Sequence, residues 1–163
     1  MLKVISQSSL DELSRIATTM PRRRMNSNLH PDLNDSIHRF CNALEPCTYL
    51  PPHRHVGADR WELMTVLRGS VAVLIFNDLG TVIERLVLGP QEANYAIEIP
   101  GGTWHALTSL AAGTVILEIK HGPYIKVEGA NLAAWAPAEG TPQADAMEQW
   151  MRTARVGACV PHF

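Results

Sequence analysis

Two periodicities divide the chain. Near its start Leu10, Leu13, Ile16 and Ala17 recur at helical spacing, Ser9 and Glu12 stand at the interval of a capping box, and Pro21 follows the run. The pattern predicts an amphipathic helix ending near Met20. Residues 2–5 are a short apolar piece of strand length. A second stripe, Ile37, Phe40, Cys41 and Leu44, stops before Pro46 and predicts a short helix over residues 35–44, with Cys41 as a small core residue rather than a reactive thiol. From Thr48 the period becomes two. Glu62 opens an alternating segment that ends in Gly69; Val71, Val73 and Ile75 alternate before the turn Asn77-Asp78-Leu79-Gly80, and residues 81–88 return as a strand. Residues 95–99, 104–107 and 114–119 are further extended pieces, separated by Gly89-Pro90 and Pro100-Gly101-Gly102. Short strands punctuated in this way predict an all-β sandwich or barrel preceded by helices. Beyond His121, residues 133–139 read as a surface-crossing segment, and Thr141-Pro142 fits the N-cap and first position of a last helix over residues 144–152.

Length and composition narrow the class. A chain of 163 residues, 46% hydrophobic, suits one domain with one sizeable core; residues 1–46 read as an N-terminal helical extension, 47–125 as the barrel and 126–163 as a C-terminal extension packed on it. Fourteen Lys and Arg stand against sixteen Asp and Glu, which gives no electrostatic reason to bind nucleic acid. Cys41, Cys47 and Cys159 are odd in number and lack CxxC spacing, so neither a disulfide framework nor a thiolate zinc knuckle is expected. Cys159 and His162 have the spacing of half a zinc site without its other half. With no apolar run long enough for a signal peptide or a membrane span, the expectation is a soluble cytoplasmic protein without membrane partners.

The chemistry concentrates in residues 49–69, YLPPHRHVGADRWELMTVLRG. His53 and His55 are two apart and share a face on an extended strand, Glu62 begins the alternating strand, and PGGTWH brings His105 after a glycine turn. Three His and one Glu make a nitrogen and oxygen ligand set for one divalent metal ion, whether zinc, iron, manganese or nickel. Asp59 is the competing carboxylate. Glu62 is preferred because it opens the strand. Asn26, Asn28 and His30 alternate in RRRMNSNLH and would share a face if extended, either as a hydrogen-bonding wall or as a surface loop with Asx turns.

These residues resemble the cupin motifs. The first is Gly, five residues, His-x-His, three or four residues, Glu, six residues, Gly; the second is Pro-x-Gly, two residues, His, three residues, Asn. His53, His55, Glu62 and Gly69 match the first, and Pro100, Gly102 and His105 the second. The chain departs from them in three places: six residues separate His55 from Glu62, Cys47 stands at the offset of the leading Gly, and Ser109 replaces the closing Asn. More of the chain, through RRRMNSNLH, TYLPPHRH, GPY at 122–124 and WAPAE at 135–139, resembles the WbuC family of cupin-fold metalloproteins associated with bacterial surface-polysaccharide gene clusters. The resemblance implies an all-β fold, a single cupin jelly-roll barrel with N-terminal helical decoration, one divalent metal ion per chain and a homodimer. It also shifts Asn26, Asn28 and His30 toward a pocket wall.

The expected function is therefore that of a divalent-metal-binding cupin acting on a sugar or nucleotide-sugar intermediate of surface polysaccharide biosynthesis, in the manner of an isomerase or epimerase. The metal ligands are His53, His55, Glu62 and His105, with His30 or Tyr124 as the proton-transfer group. Arg24 or Arg54 would meet an anionic group of a small-molecule substrate, beside Asn26 and Asn28. Trp104, like Trp61, would stack on a sugar or plug the barrel. The alternatives are an iron-dependent dioxygenase, a non-catalytic metal-dependent sugar-binding module, and a metal that serves only as a structural staple.

Overall fold

The computed structural model describes residues 2–57 and 59–162. Its elements run in the order α1 (Gln7–Thr19), β1 (Arg24–Asn28), β2 (Ile37–Leu44), β3 (Glu62–Arg68), β4 (Val71–Phe76), β5 (Val82–Leu88), β6 (Ala96–Ile99), β7 (Trp104–Ser109), β8 (Thr114–His121) and α2 (Pro142–Thr153). Two antiparallel sheets, ordered β1-β2-β8-β3-β6 and β5-β4-β7, face each other, which is the jelly-roll architecture the strand pattern predicts.

Alternation along each strand sorts the side chains into three layers. Leu44, Met64, Val66, Val71, Val73, Leu107 and Ile116 fill the space between the sheets. The outer face of the larger sheet presents Cys41, Ala43 and Val115 to Leu10, Leu13 and Ala17 of α1. On the smaller sheet Ala72, Leu74, Phe76 and Ala106 pack against Ala144, Met147 and Met151 of α2. Each helix thus buries its apolar stripe on the outside of one sheet, leaving the inside of the sandwich free of helices. Arg68 ties α1 down by donating to the Leu10 carbonyl and to Ser14 Oγ at 3.1 and 2.7 Å.

Three expectations need correction. Residues 35–44 are not a helix: β2 lies between β1 and β8 with eight residues in register, and the β-branched and aromatic residues that imitate a helical stripe satisfy both faces of a buried strand. The larger sheet therefore reaches back into the segment before residue 47, through β1 and β2. The cap of α1 is Ser6, whose hydroxyl accepts from Ser9 N, with Ser9 rather than Glu12 at the N3 position of the box. Residues 2–5 lie outside any strand, with Leu2 and Val4 exposed. Thr141 caps α2 as its spacing predicts, accepting from Ala144 N, and Cys41 is buried.

Candidate metal centre and cavity

Two backbone connections assemble the donor set. His53 and His105 exchange hydrogen bonds, His53 N to His105 O and His105 N to His53 O, each 2.9 Å. The segment carrying the first two histidines is thereby stitched to β7. Gly102 N donates to His55 O at 2.7 Å, and a side chain on Gly101 would run into the Gly57 carbonyl. The Pro-Gly-Gly turn can dock on residues 55–57 only because Gly101 lacks a Cβ. Glu62 enters from the other sheet, at the start of β3.

The four side chains converge so that one ligand atom from each of His53, His55, Glu62 and His105 lies within 4.8 Å of all the others. Glu62 and His105 are each 2% exposed. Glu62 Oε1 is 3.0 Å from His55 Nε2, and Oε2 is 3.0 Å from His105 Nε2. Yet His55 Nε2, His105 Nε2 and Glu62 Oε2 are buried without a hydrogen-bond partner, which is costly unless something else satisfies them. The tautomers give the reason. His53 Nδ1 and His105 Nδ1 lie 2.9 Å from the carbonyls of Pro51 and Thr103; a carbonyl only accepts, so these nitrogens carry the protons and each Nε2 presents a lone pair. Burial, then the neighbouring His105, pushes His53 down to about 3, which keeps its imidazole neutral as a metal ligand must be. Burial opposes ionisation of Glu62, but His105, His55 and Lys120 outweigh it and hold the carboxyl well below its usual range. Two imidazole nitrogens, each 3.0 Å from a carboxylate oxygen and beside a neutral His53, make a nitrogen and oxygen donor set that fits a cation held among them.

Asp59, the competing carboxylate, is 66% exposed on its side chain and lies 3.8 Å from His121 Nδ1, away from the cluster. The longer interval between His55 and Glu62 is a loop that carries Asp59 outward. Arg60 ties that loop to the opposite rim, donating to the carbonyls of His121, Gly122 and Pro123 at 3.3–3.4 Å.

His53, His55 and Glu62 of the cluster line a cavity of about 1270 Å³ bounded by the larger sheet and by much of residues 123–139. Cross-strand register arranges its wall in rows: Glu62, Lys120 and His38; then Met64, Glu118 and Phe40; then Asn42 and Asn26, beyond which Val66 and Ile116 of the same register belong to the packed core. The first two rows contain groups that the motif analysis missed. Lys120 Nζ donates to Glu62 Oε1 at 2.8 Å and to Glu118 Oε1 at 2.7 Å, and sits 5.4 Å above the Phe40 ring. Burial raises the Glu118 carboxyl to about 7 against the opposing effect of Lys120. Burial would lower the Lys120 ammonium, but Glu118 and Glu62 raise it instead. The signal was present in LEIKH, where Glu118 and Lys120 interrupt the inward face of an apolar strand.

The remaining candidates divide. Arg24, Asn26 and Tyr124 line the cavity; Tyr124 is exposed on its rim, and Arg24 is already paired with Glu139 at 2.7 Å and donates to the Tyr49 carbonyl at 2.9 Å. Asn28 is exposed and accepts from Asn26 Nδ2 at 3.0 Å. His30 is buried behind the wall: its ring stacks on His38 at 4.1 Å, and Nδ1 accepts from Arg39 N. His38, not His30, faces the cavity. Arg54 and Trp104 leave it altogether. Arg54 alternates with His53 and His55 and so points to the opposite face, where its guanidinium lies 4.3 Å over the Trp104 ring, while Trp104 Nε1 donates to Asp78 at 3.0 Å. Trp104 packs on Trp135, which makes it part of the outer core.

Among solved structures of similar shape are the TT1209 protein of Thermus thermophilus, at 18% identity and a TM-score of 0.52 over 74% of this chain and 97% of that one, and a conserved protein of unknown function from Streptococcus pyogenes, at 16% identity and 0.51 over 77% and 91%. An oxalate oxidase in complex with the substrate analogue glycolate matches at 19% identity and 0.51, over 66% of this chain and 55% of that one. These likenesses establish a shared fold. No curated protein sequence matches the chain. Among the described residues no helix is long and apolar enough to cross a membrane. Residues 5–88, just over half of the sequence, match the model of one family. They span α1, the His53, His55 and Glu62 ligand candidates and the first strands of both sheets, and by that match the chain belongs to the family described as "Domain of unknown function (DUF6016)".

Proposed function

We propose that this protein is a divalent-metal-dependent enzyme that acts on a small, anionic, hydroxyl-rich molecule of the sugar or nucleotide-sugar class. The observation that carries the reading is the set of partnerless buried atoms, His55 Nε2, His105 Nε2 and Glu62 Oε2, beside a cavity of about 1270 Å³. A closed structural site needs no such cavity, and a volume of this size exceeds what a small metabolite fills. His53, His55, Glu62 and His105 would hold the ion, which would supply Lewis-acid polarisation of a carbonyl or hydroxyl oxygen. Asn26 and Asn42 offer hydrogen bonds from the wall, Trp61 an aromatic face, and Arg24 and Lys126 cationic groups that an anionic ligand would have to share with their partners Glu139 and Glu128. Tyr124, on the rim, is the sequence-predicted proton-transfer group with access to this space. The likeness of RRRMNSNLH, TYLPPHRH and WAPAE to the WbuC family favours surface-polysaccharide intermediates and a homodimer; the reaction, isomerisation or epimerisation, is suggested by the Lewis-acid role of the ion and not by that likeness.

Oxygen chemistry is the second reading. Three His and one Glu hold iron as readily as manganese, and a fold neighbour is an oxalate oxidase. Elemental analysis of protein purified without added metal, beside a Glu62→Gln variant, separates the two. Manganese, nickel or zinc near one per chain, lost in the variant, supports the Lewis-acid reading and a nucleotide-sugar screen. Iron at that stoichiometry supports oxidation and a hydroxy-acid screen under oxygen. Little metal in either protein overturns both.

A further inference from the structure

We infer that Lys120 is a positioning residue that occupies one oxygen of Glu62, so that this carboxylate offers a metal ion only its other oxygen and the open side of the ion stays available to a ligand. The inference rests on the metal-binding reading of the cluster and adds a residue outside its four ligand candidates.

The geometry distinguishes the two carboxylate oxygens. Glu62 and Lys120 are direct cross-strand partners on β3 and β8, so their side chains leave the same face of the sheet. Each oxygen lies 3.0 Å from one imidazole nitrogen, Oε1 from His55 Nε2 and Oε2 from His105 Nε2, but only Oε1 also accepts from the ammonium, at 2.8 Å, while Oε2 is buried without a hydrogen bond. Lys120 is itself held from the opposite side by Glu118 Oε1 at 2.7 Å, and Glu118 lies two residues before it on the same inward face. A lysine anchored by two carboxylates cannot swing clear of Glu62 without abandoning a buried charge. Its positive charge also draws electron density from the carboxylate and opposes a nearby cation. It weakens metal binding in exchange for a fixed, single-oxygen ligand.

Cobalt(II) binding reads this directly, because its visible absorption intensifies as coordination number falls. Wild type should bind one Co²⁺ per chain with a moderately intense visible band. Lys120→Met frees Oε1 to join Oε2 on the ion, so the band should weaken as coordination rises and affinity should increase by about tenfold, a change of the size that outer-shell substitutions produce but opposite in sign, because the group removed is itself a cation. Lys120→Arg restores a cationic donor on Oε1 and should return the band and affinity toward wild type. If Lys120 only props the wall, Lys120→Met lowers affinity or leaves the spectrum unchanged, and either result overturns the inference. Should Lys120→Met fail to fold by circular dichroism, Glu118→Ala takes its place: releasing the lysine's second anchor should shift the same band, and an unshifted band overturns the inference. Failure of wild type to bind Co²⁺ at all overturns the metal reading and this inference together, whereas normal wild-type binding with unchanged variants overturns the inference alone.

Discussion

His53 and His105 are joined by a reciprocal pair of backbone hydrogen bonds, each 2.9 Å, with their rings 4.4 Å apart. The two histidine motifs, distant in sequence, are fixed by main chain alone, and their imidazoles are free of any structural duty beyond the carbonyls that orient them. Replacing His105 by Gln therefore removes a ligand without undoing the bridge. The expected outcome is a loss of metal affinity exceeding about a hundredfold, since outer-shell changes alone cost roughly ten- to a hundredfold, with an unaltered far-ultraviolet spectrum and an unaltered melting temperature in chelator. Retained affinity would remove His105 from the site.

Two positions test the backbone logic of the first motif. Cys47 stands at the offset of the motif's leading Gly and has φ +70°, a conformation that costs a side-chain-bearing residue about 1–2 kcal/mol. Gly69, at φ +75°, would drive a Cβ into Thr114, whose hydroxyl accepts from Ser70 N at 3.2 Å. Cys47→Gly should raise stability by up to about 1 kcal/mol, the relief of strain partly offset by a looser unfolded chain. Gly69→Ala should lower it by about 2 kcal/mol or more. Urea midpoints measure both, and a destabilised Cys47→Gly would show that the cysteine side chain matters more than its backbone.

The convergence of the four ligand candidates was legible because each is marked locally: the His pair by its spacing, Glu62 by the strand it opens, His105 by the glycine turn before it. What was illegible depended on pairing between distant strands. Ile37, Phe40, Cys41 and Leu44 fit a helical stripe, and only the pairing of β2 with both β1 and β8 decides for a strand. Lys120 and Glu118 acquire meaning through their register with Glu62 and Met64, which no spacing along the chain reveals. Arg54 was misplaced for a simpler reason: the alternation that aims His53 and His55 inward aims the residue between them outward.

His38 supplies a test by pH. Burial, ahead of the unfavourable charges of His30 and Lys120, lowers its pKa despite its Leu33 carbonyl partner and Asp35. The unfolded chain therefore takes up a proton near pH 6.5 that the folded chain resists, so the stability due to neutral His38 is present above pH 6.5 and is lost as pH falls below it. His53, pushed down to about 3, adds to the same slope. Glu118, raised to about 7, works against this slope, because the folded chain takes up a proton there that the unfolded chain does not; the test is therefore the comparison in chelator between about pH 7.5 and 5.5, where the urea midpoint of His38→Phe should lose less, or gain more, than that of wild type as pH falls. An identical pH slope in the variant would show that His38 titrates normally in the folded protein.

Glu139 decides whether the segment crossing the cavity mouth is latched. Its Oε1 accepts from Arg22 Nε at 2.9 Å and Arg24 Nη1 at 2.7 Å, and Tyr49 Oη donates to the Pro137 carbonyl at 3.0 Å beside it. Arg24 is only 11% exposed on its side chain, so its charge relies on Glu139 far more than that of exposed Arg22. Glu139→Ala strands a mostly buried guanidinium that keeps only the Tyr49 carbonyl and Thr48 hydroxyl, and should cost about 1–3 kcal/mol. Glu139→Gln keeps an acceptor and should cost less. Because much of residues 123–139 lines the cavity while Glu139 is not among the four converging donors, limited proteolysis within that segment should accelerate in the order wild type, Gln, Ala, while metal affinity stays constant. Equal cleavage rates in all three would mean that the segment is held by its packing and the Tyr49 bond rather than by this ion pair.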